Sequence, residues 1–165
     1  MCLLCALTVA PSFAKQPTPA AIEGTVQRVV DGDSLWVKPT DGGEALHVRL
    51  LGIDAPEICQ AWGLEARQAL LDLVLNQPVS LRPAGRDTYG RMLGTLYLDT
   101  LNVNKTLVQE GHAWSARYRD DKGPYVADER MAKALSRGLN RAGGAIVPGE
   151  FRRSHGACSN EDVAA

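Results

Sequence analysis

Along residues 22–53 apolar and polar positions alternate with a period of two, which predicts strands with one buried face. The pattern divides into Ile22–Val30, Ser34–Lys38 and Ala45–Ile53, with turns at Asp31-Gly32 and Asp41-Gly42-Gly43. In the third strand Leu46, Val48 and Leu50 share one face, while His47, Arg49 and Leu51 share the other. Pro56 ends it. The period then changes: Leu64, Leu71, Val74 and Leu75 recur at helical spacing and predict a helix over residues 63–76. Val79–Arg82 and Met92–Leu98 return to strand. In the latter Met92, Leu96 and Leu98 form one face, opposite Arg91 and Leu93. Val103–Glu110 predicts a short helix stopped by Gly111. A third helix is expected from about Val126 to Arg141, with Met131, Leu135 and Leu139 as its buried stripe. Five short strands interrupted and followed by helices predict an α+β fold, a five-stranded OB-fold β-barrel with three packed helices.

Size and charge narrow the function. The 165 residues suffice for one domain, and 45% apolar with 22% charged content supports an ordinary core. A formal net charge of −1 gives no global attraction to nucleic acid, which disfavours a DNA-coating protein. It leaves room for an enzyme with a local basic pocket. Residues 1–14 are uncharged, with an apolar run too short to span a bilayer, and Ser12-Phe13-Ala14 places small residues before a signal-peptidase cut at Lys15. The basic residues that usually open a signal peptide are missing. The expected organisation is therefore a signal peptide at 1–14, a leader at 15–21, a domain at 22–143 and a C-terminal tail at 144–165. Such a cut removes Cys2 and Cys5 and leaves Cys59 and Cys158. In an exported, periplasmic or secreted protein, that pair is expected to close a disulfide and tether the tail. The tail's Arg152, Arg153 and His155 read as a solvated basic cluster.

Three segments carry candidate chemistry: Val30-Asp31-Gly32-Asp33-Ser34, Arg49 through Glu57, and Asp87-Thr88-Tyr89-Gly90-Arg91. Singly, each has a plain structural reading. Asp-Gly is a hairpin turn, Ala-Pro-Glu can start a helix, and Tyr-Gly-Arg can be an exposed turn. Together those readings weaken. Arg49 and Arg91 stand in or beside apolar strands, where a guanidinium needs an anion or water. Two planar guanidiniums could clamp one phosphodiester. Asp33 and Asp54, at strand ends, offer hard oxygens for calcium or magnesium. Glu57 follows three residues later, across the rigid Pro56. A cation, a carboxylate to activate water and arginines to meet developing charge make a complete hydrolytic set.

In their order and spacing, DGDS at 31–34, RLLGIDAPE at 49–57 and DTYGR at 87–91 resemble the staphylococcal nuclease (thermonuclease) family. The similarity extends from about Ile22 to Asn140 and includes the segment 103–111. It implies the OB barrel with three helices, and calcium-dependent cleavage of DNA or RNA leaving 3′-phosphate ends. It also implies roles. Asp33 and Asp54 would bind Ca2+ by side chain and Ala55 by its backbone carbonyl, with Asp31 behind them oriented toward metal-bound water. Glu57 would be the general base, Arg49 and Arg91 would stabilise the transition state, and Tyr89 would touch a neighbouring phosphate. A monomer with no membrane association in its mature form is expected.

The match is not complete. Ala55 stands where the best-known family member has threonine, a change that a backbone ligand tolerates. Either Arg117 or Tyr118 could take the place of a base-stacking tyrosine. The competing reading is a non-catalytic OB-fold module that binds nucleic acid or protein, but such domains typically lose the acidic and arginine positions that are kept here. A redox domain built on Cys59 and Cys158 is disfavoured by the absence of a CxxC.

Overall fold

The computed structural model describes residues 19–141, 145–156 and Cys158; the expected signal peptide at 1–14 lies outside the described residues. The alternating segments become β1 (Ile22–Val29), β2 (Ser34–Pro39) and β3 (Leu46–Leu50), followed by a short β4 (Ile53–Asp54). Helix α1 (Gly63–Val74) precedes β5 (Pro78–Arg86), β6 (Met92–Leu98) and the two-residue β7 (Leu101–Asn102). Then come α2 (Val103–Gln109), β8 (Trp114–Ser115), α3 (Val126–Ala134), a 3-10 turn at Gly138–Asn140, and α4 (Pro148–His155).

Strand pairing closes a ring. β1 pairs antiparallel with β2 and β5, β2 with β3, and β5 with β6, while β3 and β6 meet in parallel and complete a five-stranded barrel. Register shifts between Val26 and Arg28 in β1, and between Pro83 and Gly85 in β5, supply the bends that closure requires. The inward parity is apolar: Val26, Leu35, Val37, Val48, Leu50, Leu81 and Leu96 are buried. Because successive side chains alternate faces, this parity sends Arg49 to the side opposite Val48 and Leu50.

Two helical stripes differ from those the pattern predicts. α1 buries Ala66, Leu70 and Val74, while Leu64 is exposed. α3 stops at Ala134, and Met131 and Leu135 lie in solvent. The cause is the segment Ser136-Arg137-Gly138, where Ser136 (φ 50°) and Gly138 (φ 52°) leave the helical region. There Gly138 packs against the Gly111 backbone, where a side chain would clash. Leu139 N donates to the Gly111 carbonyl at 2.9 Å, so Leu139 is buried by a turn and not by a helix.

Buried Asn104 at the start of α2 binds the barrel to the site. Its Oδ1 accepts from Leu96 N at 3.0 Å, and its Nδ2 donates to the Leu51 and Gly94 carbonyls at 2.8 and 3.2 Å. β4 is held by β8 through Ile53–Ser115 and Asp54–Trp114 pairing, which fixes the backbone at Asp54. The tail is also ordered: α4 buries Phe151, and Cys59 and Cys158 form a disulfide with Cα atoms 5.6 Å apart.

Candidate active site

Asp31 and Asp33 enter the site from the β1–β2 turn. Asp33 N donates to Asp31 Oδ1 at 2.9 Å, a local bond that shapes the loop, and Ser34 pairs across the ladder with Arg49. Gly32 is required here, because a Cβ would come within 2.7 Å of the Ala55 side chain and 2.9 Å of Ala66. The small residue at 55 belongs to the same close approach. In return, Ala55 N donates to Asp33 Oδ2 at 2.7 Å, joining the β1–β2 turn to the segment after β4.

Arg49 ion-pairs with Asp33, and its Nη2 lies 3.1 Å from Asp54 Oδ1. Burial pulls the Arg49 pKa down, but the two carboxylates more than offset this and raise it, so the guanidinium stays charged. Asp33 is 5% exposed; burial pushes its carboxyl up to about 7, against the pull of Arg49 and with the help of neighbouring Asp31. Burial also raises Asp54, opposed by Arg49 and Arg152. These carboxylates are crowded and poorly solvated, and they attract positive charge.

Arg91 is aimed by Asp87. The Asp87 carboxylate accepts from Tyr89 N and Arg91 N, each at 2.9 Å, and from Arg91 Nε at 2.7 Å. Desolvation raises the Asp87 carboxyl, but these bonds outweigh it and hold the group below its usual range. With Nε taken, the far end of the guanidinium reaches toward the site, its Nη1 3.5 Å from Ser34 Oγ. Tyr89 is largely exposed, its ring 5.6 Å from the Arg91 guanidinium carbon.

Glu57 lies on the irregular segment between β4 and α1. Its N–H donates to Gln60 Oε1 at 3.2 Å, and its carbonyl accepts from Gln60 N at 2.8 Å. Gly63 lets α1 begin directly against this turn, since a Cβ there would strike the Glu57 carbonyl. The Glu57 carboxylate is ion-paired with Arg152 of α4.

These elements enclose one cavity of about 320 Å³, lined by Asp31, Asp33, Ser34, Arg49, Asp54, Ala55, Pro56, Glu57, Tyr89, Arg91 and Arg152. All eight residues singled out in the sequence are on its wall: Asp31, Asp33, Arg49, Asp54, Ala55, Glu57, Tyr89 and Arg91. It is a polar hollow in which the Arg49 guanidinium lies against Asp33 and Asp54 and that of Arg152 lies against Glu57.

Comparison with known proteins agrees with this architecture. A family model described as "Staphylococcal nuclease homologue" matches residues 47–140. The micrococcal nuclease of Shigella flexneri is 35% identical over 155 residues, covering 87% of this chain and 88% of its own. The chain belongs to the staphylococcal nuclease family. An uncharacterized endonuclease of Escherichia coli O157:H7 is 43% identical over 121 residues, covering 73% of this chain and 78% of its own. Another, from Haemophilus influenzae, is 35% identical over 128 residues, covering 78% and 71% respectively.

Against this family background, three residues in or beside the cavity had no role assigned from sequence. Asp87 carries a weak local signal, an acid four residues before the arginine it holds. Ser34, within the DGDS segment, contacts both Asp33 and Arg91. Arg152 carries no local signal, since it lies 95 residues from Glu57 and outside the matched segment. Near the cavity, Trp36 and His47 stack at 4.7 Å, two ladder steps from Ser34–Arg49 with Leu35–Val48 between. Burial and the nearby Arg91 hold His47 below its usual pKa and keep it neutral. Of the two residues considered for base stacking, Arg117 is ion-paired with Glu129, whereas Tyr118 is exposed.

Proposed function

We propose that the chain is a calcium-dependent endonuclease that hydrolyses phosphodiester bonds of DNA, RNA or both and leaves 3′-phosphate ends. One observation carries this reading: the carboxylates Asp33, Asp54 and Glu57 and the guanidiniums Arg49 and Arg91 line a single cavity of phosphodiester size.

The donor set suits a hard divalent cation. Among the described residues, no three His, Cys, Asp or Glu side chains group as a ready-made metal site. Asp33 and Asp54 would supply side-chain oxygens and Ala55 its carbonyl, leaving water and substrate oxygens to complete the six to eight that calcium takes. Asp31 would support this shell from behind, oriented toward bound water. The raised pKa of Asp33 supports the assignment, because burial and neighbouring acids leave that site short of positive charge. When bound, calcium would supply that charge and polarise a phosphate oxygen.

The protein's own groups do the rest. Glu57 accepts the proton of a water that attacks phosphorus. The P–O5′ bond breaks, the phosphate stays on the 3′ side, and the departing O5′ takes a proton from solvent water to become a hydroxyl, while Glu57 returns its proton to solvent. Arg49 and Arg91 face the charge that develops on the phosphoryl oxygens. In the free protein Arg49 is engaged with Asp33 and Asp54, so substrate and cation together would redistribute these contacts. Tyr89 would touch a neighbouring phosphate.

We also infer export to the periplasm or the medium, which the Cys59–Cys158 disulfide supports, and action as a monomer. The function is tested by incubating purified protein with plasmid DNA and with RNA, with calcium or with excess chelator. Cleavage only with calcium, and 3′-phosphate ends on the products, are the expected results. Equal cleavage in chelator would refute the calcium requirement, and no cleavage of either polymer would refute the enzyme.

A further inference from the structure

The Glu57 side chain has three rotatable bonds and is 28% exposed, yet a general base must hold its oxygen within hydrogen-bond reach of the attacking water. Backbone contacts to Gln60 fix the chain at Glu57 but not the carboxylate. Among the described residues, the only hydrogen-bond donor to that carboxylate is Arg152, through Nη1 to Oε1. This leaves Oε2 to face a water.

Arg152 is itself held from both ends of its segment. Before α4, the Ile146 carbonyl accepts from Gln60 Nε2 at 2.5 Å. After α4, Cys158 is bonded to Cys59, and Cys59 N lies 3.1 Å from Cys158 Sγ. Between them Phe151 is buried. Among the described residues, these polar and covalent anchors fall on residues 59 and 60, within three positions of Glu57. Gln60 serves both sides: its Oε1 accepts from Glu57 N, and its Nε2 holds the tail. The tail is thus fastened to the turn that carries the carboxylate it contacts.

Charge points the same way. The cavity wall bears four carboxylates, Asp31, Asp33, Asp54 and Glu57, and the guanidiniums of Arg49, Arg91 and Arg152. Arg49 is committed to Asp33 and Asp54, and Arg91 is held by Asp87. Among the described residues, only Arg152 is paired with Glu57.

We propose that Arg152 is a positioning residue for Glu57: the tethered tail helix holds the carboxylate by one oxygen so that the other meets the attacking water. The proposal rests on Glu57 being the base. Because the contact is a single hydrogen bond to one carboxylate oxygen, a lysine can replace it as a point charge, unlike a bidentate arginine site.

The test compares steady-state cleavage by wild type, Arg152→Ala, Arg152→Lys, Glu57→Gln and the Glu57→Gln/Arg152→Ala double variant, in calcium. Arg152→Ala is expected to lower kcat by about 10-fold, as loss of a supporting contact does, while KM changes by less than about 2-fold. Arg152→Lys recovers most of the loss. In the Glu57→Gln background, Arg152→Ala has no further effect, because the group it positions is gone. An unchanged or increased kcat in Arg152→Ala overturns the proposal, as does a rise in KM alone, which would mark a substrate contact. The same loss in both backgrounds overturns it too. Full activity in Glu57→Gln would instead show that the base assignment had failed, and the proposal would fall with it.

Discussion

The cavity has a barrel wall and a tail wall, and both present a guanidinium against a carboxylate, but different forces hold them. On the barrel wall Arg49 sits in β3, paired by backbone ladder to β2 on one side and to β6 on the other. Its partner Asp33 is fixed by the Asp31 and Ala55 contacts. On the tail wall Arg152 reaches Glu57 from α4, to which no strand ladder runs. Among the described residues, that helix is anchored by Phe151, by hydrogen bonds from Gln60 Nε2 and Cys59 N, and by the Cys59–Cys158 disulfide. From this difference, one half of the site is expected to be as durable as the barrel, whereas the other is expected to detach without unfolding it.

The largest effect that would sharpen this contrast belongs to the barrel wall. Arg91→Ala removes a guanidinium proposed to face the phosphate and is expected to lower kcat by about 10²–10³-fold, the loss typical when one donor to a charged transition state is removed. Circular dichroism should show the fold intact, since Asp87 remains solvated and can accept water. A loss below about 3-fold would contradict the role given to Arg91. Arg49→Ala is less clean. It strands buried Asp33 beside Asp31, and breaking such a pair costs about 3–5 kcal/mol of stability.

A smaller effect is expected on the tail wall. Cys59→Ser/Cys158→Ser, or reduction of the wild type, should lower kcat by about 10-fold, no more than Arg152→Ala does. The far-UV spectrum of the barrel should be retained. Collapse of the barrel on reduction would show that the two walls are not independent. Unchanged activity would show that Phe151 and Gln60 hold the tail without the disulfide.

How much of this was legible beforehand follows from the range over which each contact acts. Alternation along β3 separates Arg49 from Val48 and Leu50, so its outward position can be read from neighbouring residues. Asp33 and Asp54 lie at strand ends and Glu57 three residues beyond, within recognisable segments, and the barrel brings those segments together. The α3 stripe was misread because Leu135 and Leu139 have helical spacing, whereas the intervening Ser136 and Gly138 adopt positive φ to bring Leu139 against Gly111. Arg152 was read as part of a solvated tail. Nothing near it in the chain marks it, and its place follows from docking and a covalent bond across 99 residues. Cysteine pairing indicated the tether but not what the tether delivers.

The smallest effect lies away from both walls and serves as their control. Trp62 Nε1 donates to His112 Nδ1 at 3.3 Å, which requires a neutral imidazole. Burial lowers the His112 pKa below its usual 6.5. The folded state therefore takes up the proton less readily than the unfolded chain. The stabilisation is fully present above pH 6.5 and is lost as pH falls through the lower folded value. Thermal melts between pH 7.5 and 5 should show a modest drop in Tm that His112→Gln reduces. An equal drop in the variant would assign the acid sensitivity elsewhere.

The convergence of base, guanidiniums and cation site on one phosphate is tested most directly by Glu57→Gln, with cleavage and calcium binding measured on the same preparation. The account predicts calcium binding close to wild type, with cleavage of plasmid and RNA lowered by about 10³-fold or more. Undiminished cleavage by a folded, calcium-binding Glu57→Gln protein would contradict it.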